Sequence, residues 1–197
     1  MKLLVETSFS LLFSLLLAQL PLLTSAFPHH NHRRIPDLEK LINQTRNLLK
    51  ITQDLLNDPL IGTEIEHRFK SLPAMTGRGR DINSLELKPT LSRLLVDLQS
   101  FELHFEWLSR ASRKHRQAGT PKLAKLGEII SFIKILSASL QRQMLRVDAQ
   151  RLPTPTPSLP TLPDAWNMVQ SSQELFQQFR LFCDWASRAL MVIKAQI

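Results

Sequence analysis

Apolar side chains recur at steps of three and four along four separate stretches of this chain, and no run of useful length alternates with the period of two that a half-buried strand needs. The first stretch carries Leu38, Leu41, Ile42, Thr45, Leu48, Leu49, Thr52, Leu55 and Leu56 on one face. Pro36-Asp37 opens it, with Asp37 placed to cap, and Asp58-Pro59 stops it. The second follows Pro89 with Leu91, Leu94, Leu95, Leu98, Phe101, Phe105 and Leu108, and fades in the basic run after Arg110. The third starts at Thr120-Pro121, a capping residue followed by proline at the first helical position, and runs to about Asp148. Its stripe is Leu123, Leu126, Ile129, Ile130, Ile133, Leu136, Leu140, Met144 and Val147. The fourth begins near Asp164 and holds Met168, Val169, Leu175, Phe176, Phe179, Phe182, Cys183, Ala186, Ala189, Leu190 and Ile193. Four amphipathic helices without strands predict an all-α domain.

The connections choose among the ways of packing those helices. About 30 residues join the first to the second, about 9 the second to the third, and about 15 the third to the fourth. A short loop joins antiparallel neighbours, and only a long one returns to the starting end. Two long crossover linkers flanking a short one therefore predict a long-chain four-helix bundle with up-up-down-down topology. The last linker, LPTPTPSLPTLP from Leu152 to Pro163, is a proline strut. Held near polyproline II at about 3.1 Å per residue, it reaches roughly 35 to 40 Å, close to the length of the helix before it.

The N-terminus has the pattern of a secretory signal over 1–26: Lys2, an apolar run from about Leu11 to Leu23, then Thr24-Ser25-Ala26 before Phe27. A flexible tail over 27–36 and a single helical domain over 37–197 complete the expected organisation, and the protein is expected to be secreted and extracellular. Cys183 is the only cysteine, so helix packing must supply stability without disulfides. Its place on the apolar stripe favours a buried, inert thiol.

The net charge of +8 comes from a wide scatter of Lys and Arg with one dense patch at Arg110, Arg113, Lys114, His115 and Arg116. Without interleaved aromatics this is no nucleic-acid interface. It reads as a solvated basic loop or a weak site for sulfated glycans. Chemistry is hard to find. One Glu-x-x-His unit, Glu64 and His67, stands alone where a metal-carboxylate bundle needs two. His104 lies between Glu102 and Glu106, His29, His30 and His32 sit in the tail, and neither zinc spacing nor a nucleophile-base pair is present. The expectation is a protein that is not an enzyme and needs no cofactor or metal.

Several residues are not required by the fold. Trp166 sits one helical step off the stripe in the first turn of the fourth helix, as a binding anchor or as a cap on the bundle end. Trp185, Arg188 and Val192 are displaced from the stripe of Ala186, Ala189 and Ile193, with Arg188 nearly opposite the core, either an interface centre or a solvent-facing arginine near a helix C-terminus. Phe132 and Ile135 form an outward apolar pair on the third helix, a contact patch unless the neighbouring linker covers them. Asn43-Gln44-Thr45 is an acceptor sequon for N-glycosylation, with Asn43 turned away from the core.

Particular stretches carry a family resemblance: Asp184-Trp185-Ala186-Ser187-Arg188-Ala189-Leu190, Ala165-Trp166 after the proline-rich crossover, Ser71-Leu72-Pro73, Phe105-Glu106-Trp107-Leu108-Ser109-Arg110-Ala111, Leu126-Gly127 and Met144. Through them the chain resembles the interleukin-6 family of long-chain cytokines over most of its mature length. The resemblance implies a monomeric ligand with three receptor surfaces. A ligand-specific α-receptor would take Arg188 as centre, with Trp185, Leu72 and Met75 around it. The shared signalling subunit, glycoprotein 130, would meet Phe132, Ile135 and Arg46, and a second copy would be held through Trp166. Many positions of the first and third helices differ from the family pattern. Within that family a ligand like ciliary neurotrophic factor or cardiotrophin is an alternative, and outside it a basic helical protein that binds glycans.

Overall fold

The computed structural model describes residues 37–56, 69–75, 82–114, 121–154, 156–159 and 165–197, and only the backbone of 121–124 and 165–167. Among them are four α-helices, α1 (Leu38–Leu56), α2 (Leu87–Lys114), α3 (Pro121–Val147) and α4 (Ala165–Gln196), with a 3-10 turn at Ile82–Ser84 and no strand. The protein is all-α, as the periodicity predicts. None of these helices is long and apolar enough to cross a membrane.

Local chemistry explains the helix ends. Asp37 Oδ1 accepts from the Lys40 backbone N–H at 3.2 Å, satisfying one of the amides that a helix start leaves without a partner. The second helix begins two residues earlier than Pro89, at Leu87, and continues past Arg110 to Lys114. Pro89 is tolerated because a first-turn amide has no intrahelical acceptor to lose. At the end of α3, Asp148 adopts a left-handed φ of 53°. The Ala149 N–H then reaches back to the Met144 carbonyl at 2.9 Å, the six-to-one bond that closes a helix C-terminus.

Packing follows the stripes. α1 lies chiefly against α4 and α2 against α3, while α1 with α3 and α2 with α4 close the bundle. Specific contacts join particular ends. Lys194 near the end of α4 bonds Glu39 at the start of α1 and holds that carboxyl below the usual range. Asp37 donates its backbone N–H to Gln143 Oε1 at 2.9 Å. Ser112 near the end of α2 approaches Met168 Sδ at the start of α4 at 3.7 Å. The core is aromatic at its centre. Phe101 lies 5.1 Å from both Phe179 and Phe182, and Phe105 lies 5.0 Å from Phe179, ring to ring. All four are fully buried. Such pairs add about 0.5–1.5 kcal/mol each beyond the apolar area they remove from water. Cys183 is fully buried beside them, and burial, with the Asp184 charge, pushes its thiol well up. Val169, assigned to the stripe by spacing, is instead 41% exposed.

Candidate functional site

Arg188 projects from the last third of α4 with its side chain 53% exposed, and its Nη2 donates to Asp184 Oδ2 at 2.5 Å, one helical turn back. The pair is a solvent-facing fork, aimed outward and held by its own helix.

Trp185 departs from the expectation of an exposed neighbour to Arg188. It is 7% exposed. The reason is non-local: the end of the first linker and the start of α2 wrap over it, leaving a groove of about 450 Å³ walled by Ser84, Leu85, Glu86, Pro89, Thr90, Arg93 and Trp185. Gln196 Nε2 donates to the Asn83 carbonyl at 3.1 Å, tying the end of α4 to the same turn. Leu72 and Met75 are half-buried against the core. They follow Ser71, which is fastened near the middle of α2, so the walls of the groove beside Trp185 come from Ser84 to Glu86 instead.

On the opposite flank, α1 and α3 enclose a groove of about 530 Å³ lined by Asp37, Glu39, Lys40, Asn43, Gln44, Asn47, Phe132 and Ile135. Ile135 is 49% exposed, and Phe132 is half-buried, its ring partly packed on the core. Arg46 does not join them. Its Nη2 turns toward α4 and meets Met191 Sδ at 2.8 Å, in a separate depression with Glu39, Ile42, Lys194 and Ala195. The backbone of Trp166 lies in the first turn of α4, and its side chain lies outside the described residues, as do Glu64, His67 and the N-terminal histidines.

A buried polar cluster had no signal in the sequence. His104 is fully buried, with Nδ1 2.7 Å from the Ser100 carbonyl and Nε2 3.0 Å from Ser71 Oγ. Phe69 sets its ring edge-on to both His104 and Trp107, and its N–H donates to the buried Glu174 carboxylate at 3.3 Å. Burial lowers the His104 pKa, against the opposing pull of the Ser100 bond and the Glu174 charge. With both ring nitrogens engaged and no open approach, this imidazole is a fastener for the linker and not a general base. Elsewhere Lys134 bridges α3 to α2 through Glu106 at 2.8 Å and Glu102 at 3.8 Å. The bond to Glu106 raises the lysine's pKa, and burial raises that of Glu102.

Among the described residues no three metal-ligating side chains gather. What the bundle offers is surface: an arginine fork, a groove beside Trp185, and a long groove between α1 and α3. That is the build of a helical-bundle cytokine. Residues 28–197 match the family model for Interleukin 11, and the chain belongs to that family. It is 29% identical over 170 residues to Interleukin-11 of Mus musculus, covering 82% of this chain and 81% of the mouse protein. Interleukin-11 of Macaca fascicularis is 28% identical over 179 residues, covering 86% and 88% respectively, and that of Homo sapiens 28% over 169 residues, covering 82% and 81%. The protein is therefore a cytokine and not an enzyme.

Proposed function

We propose that this chain is a secreted, monomeric ligand that binds the interleukin-11 receptor α-subunit and two copies of glycoprotein 130. The receptors' associated Janus kinases then transphosphorylate one another and activate STAT factors. Membership of the Interleukin-11 family is the observation that carries this reading, and it favours it over a ciliary neurotrophic factor or cardiotrophin relative. The ligand does no chemistry; separate faces supply binding energy that gathers receptors.

The helix-end contacts support an up-up-down-down topology. The start of α1 meets the ends of both α3 and α4, and the end of α2 meets the start of α4. Parallel long crossovers would leave the end of α4 beside the 3-10 turn, as the Gln196–Asn83 bond requires. The first receptor face then centres on Arg188, with Trp185 acting from beneath as a buried wall and Leu72 and Met75 further along the linker. Phe132 and Ile135 make the second face, with Arg46 on its α4 side, and Trp166 makes the third. The exposed Arg110, Arg113 and Lys114 give sulfated glycans a weak electrostatic foothold at the end of α2. An apolar signal sequence over 1–26 takes the chain into the export route.

Capture on immobilised α-receptor ectodomain, followed by addition of soluble glycoprotein 130 ectodomain, tests the assembly. Wild type should retain both. Trp166→Ala should retain the α-receptor and lose signalling in receptor-bearing cells; wild-type potency in that variant would remove Trp166 from the third face.

A further inference from the structure

The sequon Asn43-Gln44-Thr45 falls within α1, and the fold gives its first and third residues opposite surroundings. Thr45 is buried, its hydroxyl donating to the Leu41 carbonyl at 2.8 Å. Asn43 is exposed and walls the groove between α1 and α3, with Phe132 and Ile135 contributed by the facing helix. An engaged threonine hydroxyl cannot assist modification of the folded protein, so any transfer precedes folding, when the segment is extended and all three side chains are free. Folding then carries whatever is attached to Asn43 into the groove.

The groove suits a sugar. Its apolar side is Phe132 and the half-exposed Ile135, and the polar residues Asp37, Glu39, Lys40, Gln44 and Asn47 complete its lining. An N-acetylglucosamine ring has one face of C–H groups that packs on an aromatic or aliphatic side chain, and a polar edge that needs donors and acceptors. At about 530 Å³ the space falls within the range of sites that enclose small molecules of a few rings.

We infer that Asn43 carries an N-linked glycan whose first N-acetylglucosamine residues lie in the α1/α3 groove over Phe132 and Ile135, so that sugar and protein partner compete for this face. The co-reactant is an oligosaccharide carried on a polyprenyl diphosphate. Asn43 Nδ2 forms a bond to its anomeric carbon, the bond from that carbon to the diphosphate oxygen breaks, and the electron pair leaves with the diphosphate. The displaced amide proton passes to a base of the transferring enzyme. Attachment rests on the reading of the chain as secreted, and competition on the reading of α1/α3 as a receptor face.

The full chain is expressed in secretory eukaryotic cells as wild type, Asn43→Gln and Thr45→Ser. Mass spectrometry before and after peptide N-glycosidase should find one removable glycan on wild type and on Thr45→Ser, which keeps the sequon, and none on Asn43→Gln. Hydrogen exchange of α3 peptides containing Phe132 and Ile135 should be at least about threefold slower in the glycosylated chain than in Asn43→Gln. Glycoprotein 130 ectodomain should bind the glycosylated form about tenfold more weakly, with α-receptor binding unchanged. A wild type without glycan overturns the inference and leaves the receptor reading intact. Equal exchange in the two forms overturns coverage of the groove. If the exchange differs but glycoprotein 130 binds neither form, the receptor face is wrong and the competition falls with it, while the seated sugar stands.

Discussion

His104 Nε2 lies 3.0 Å from the Ser71 hydroxyl across 33 residues of chain, and together with the Ser100 hydroxyl's bond to the Ser71 carbonyl at 3.3 Å this contact fastens the first crossover linker to the middle of α2. The Ser100 carbonyl can only accept, so Nδ1 carries the imidazole proton and Nε2 must receive the Ser71 hydrogen. That hydrogen has a second claimant, the Ser158 carbonyl at 3.2 Å, which couples both crossover linkers to the same side chain. Ser71→Ala strips His104 Nε2 of its donor in a buried setting. Urea unfolding should show a loss of about 1–3 kcal/mol, larger than an exposed serine would give.

The same histidine makes stability depend on pH. Burial depresses its folded-state pKa below the ordinary value of 6.5, so in acid the unfolded chain takes up a proton that the folded chain resists. Its contribution is whole above pH 6.5 and is lost as pH falls through the folded value. Unfolding free energy should drop as pH falls below 6.5, and His104→Gln should flatten that slope. An unchanged slope would assign the acid sensitivity to other groups.

Cys183 is enclosed by α4's own neighbours and its thiol is pushed well up by burial. A thiolate, not a thiol, attacks disulfide reagents. Labelling by an aromatic disulfide should therefore be slow in native buffer and become rapid only across the unfolding transition, with the two midpoints coinciding.

Asp148 holds φ of 53° so that α3 can close on Met144, a conformation that costs an L-residue and suits glycine. Its carboxylate also stands at the negative end of the helix dipole. Asp148→Gly should raise unfolding free energy by about 0.5–1 kcal/mol, seen as a higher thermal midpoint.

Much of this architecture was legible in the spacing of apolar residues. Leu41, Leu48, Leu91, Leu98, Ile129, Ile133, Phe179 and Ala189 all fall on predicted stripes and are fully buried, because 3.6 residues per turn fixes which side chains face inward. Spacing fails where a segment distant in sequence supplies the cover. Trp185 lies off the stripe, yet it is buried, and it shares one groove with Leu85 of the first linker and Pro89 of α2. Phe132 and Ile135 were readable as a patch; that Arg46 leans on Met191 and away from them depends on how α1 sits against α4. Ser71 and His104 stand 33 residues apart, and nothing in their spacing pairs them until the linker brings them together.

The burial of Trp185 separates two kinds of effect at the end of α4. Trp185→Ala removes a large side chain from a packed setting and should cost about 3–5 kcal/mol of stability together with receptor affinity. Arg188→Ala removes an exposed ion pair and should leave the thermal midpoint within the scatter of surface substitutions.

Titration calorimetry of the α-receptor ectodomain with wild type and Arg188→Ala tests the account of a ligand that works through its faces most directly. Saturable one-to-one binding by wild type, weakened at least about 30-fold by a substitution that leaves the fold unchanged, is the expected result. Equal affinity of the two proteins, or no binding by either, would contradict it.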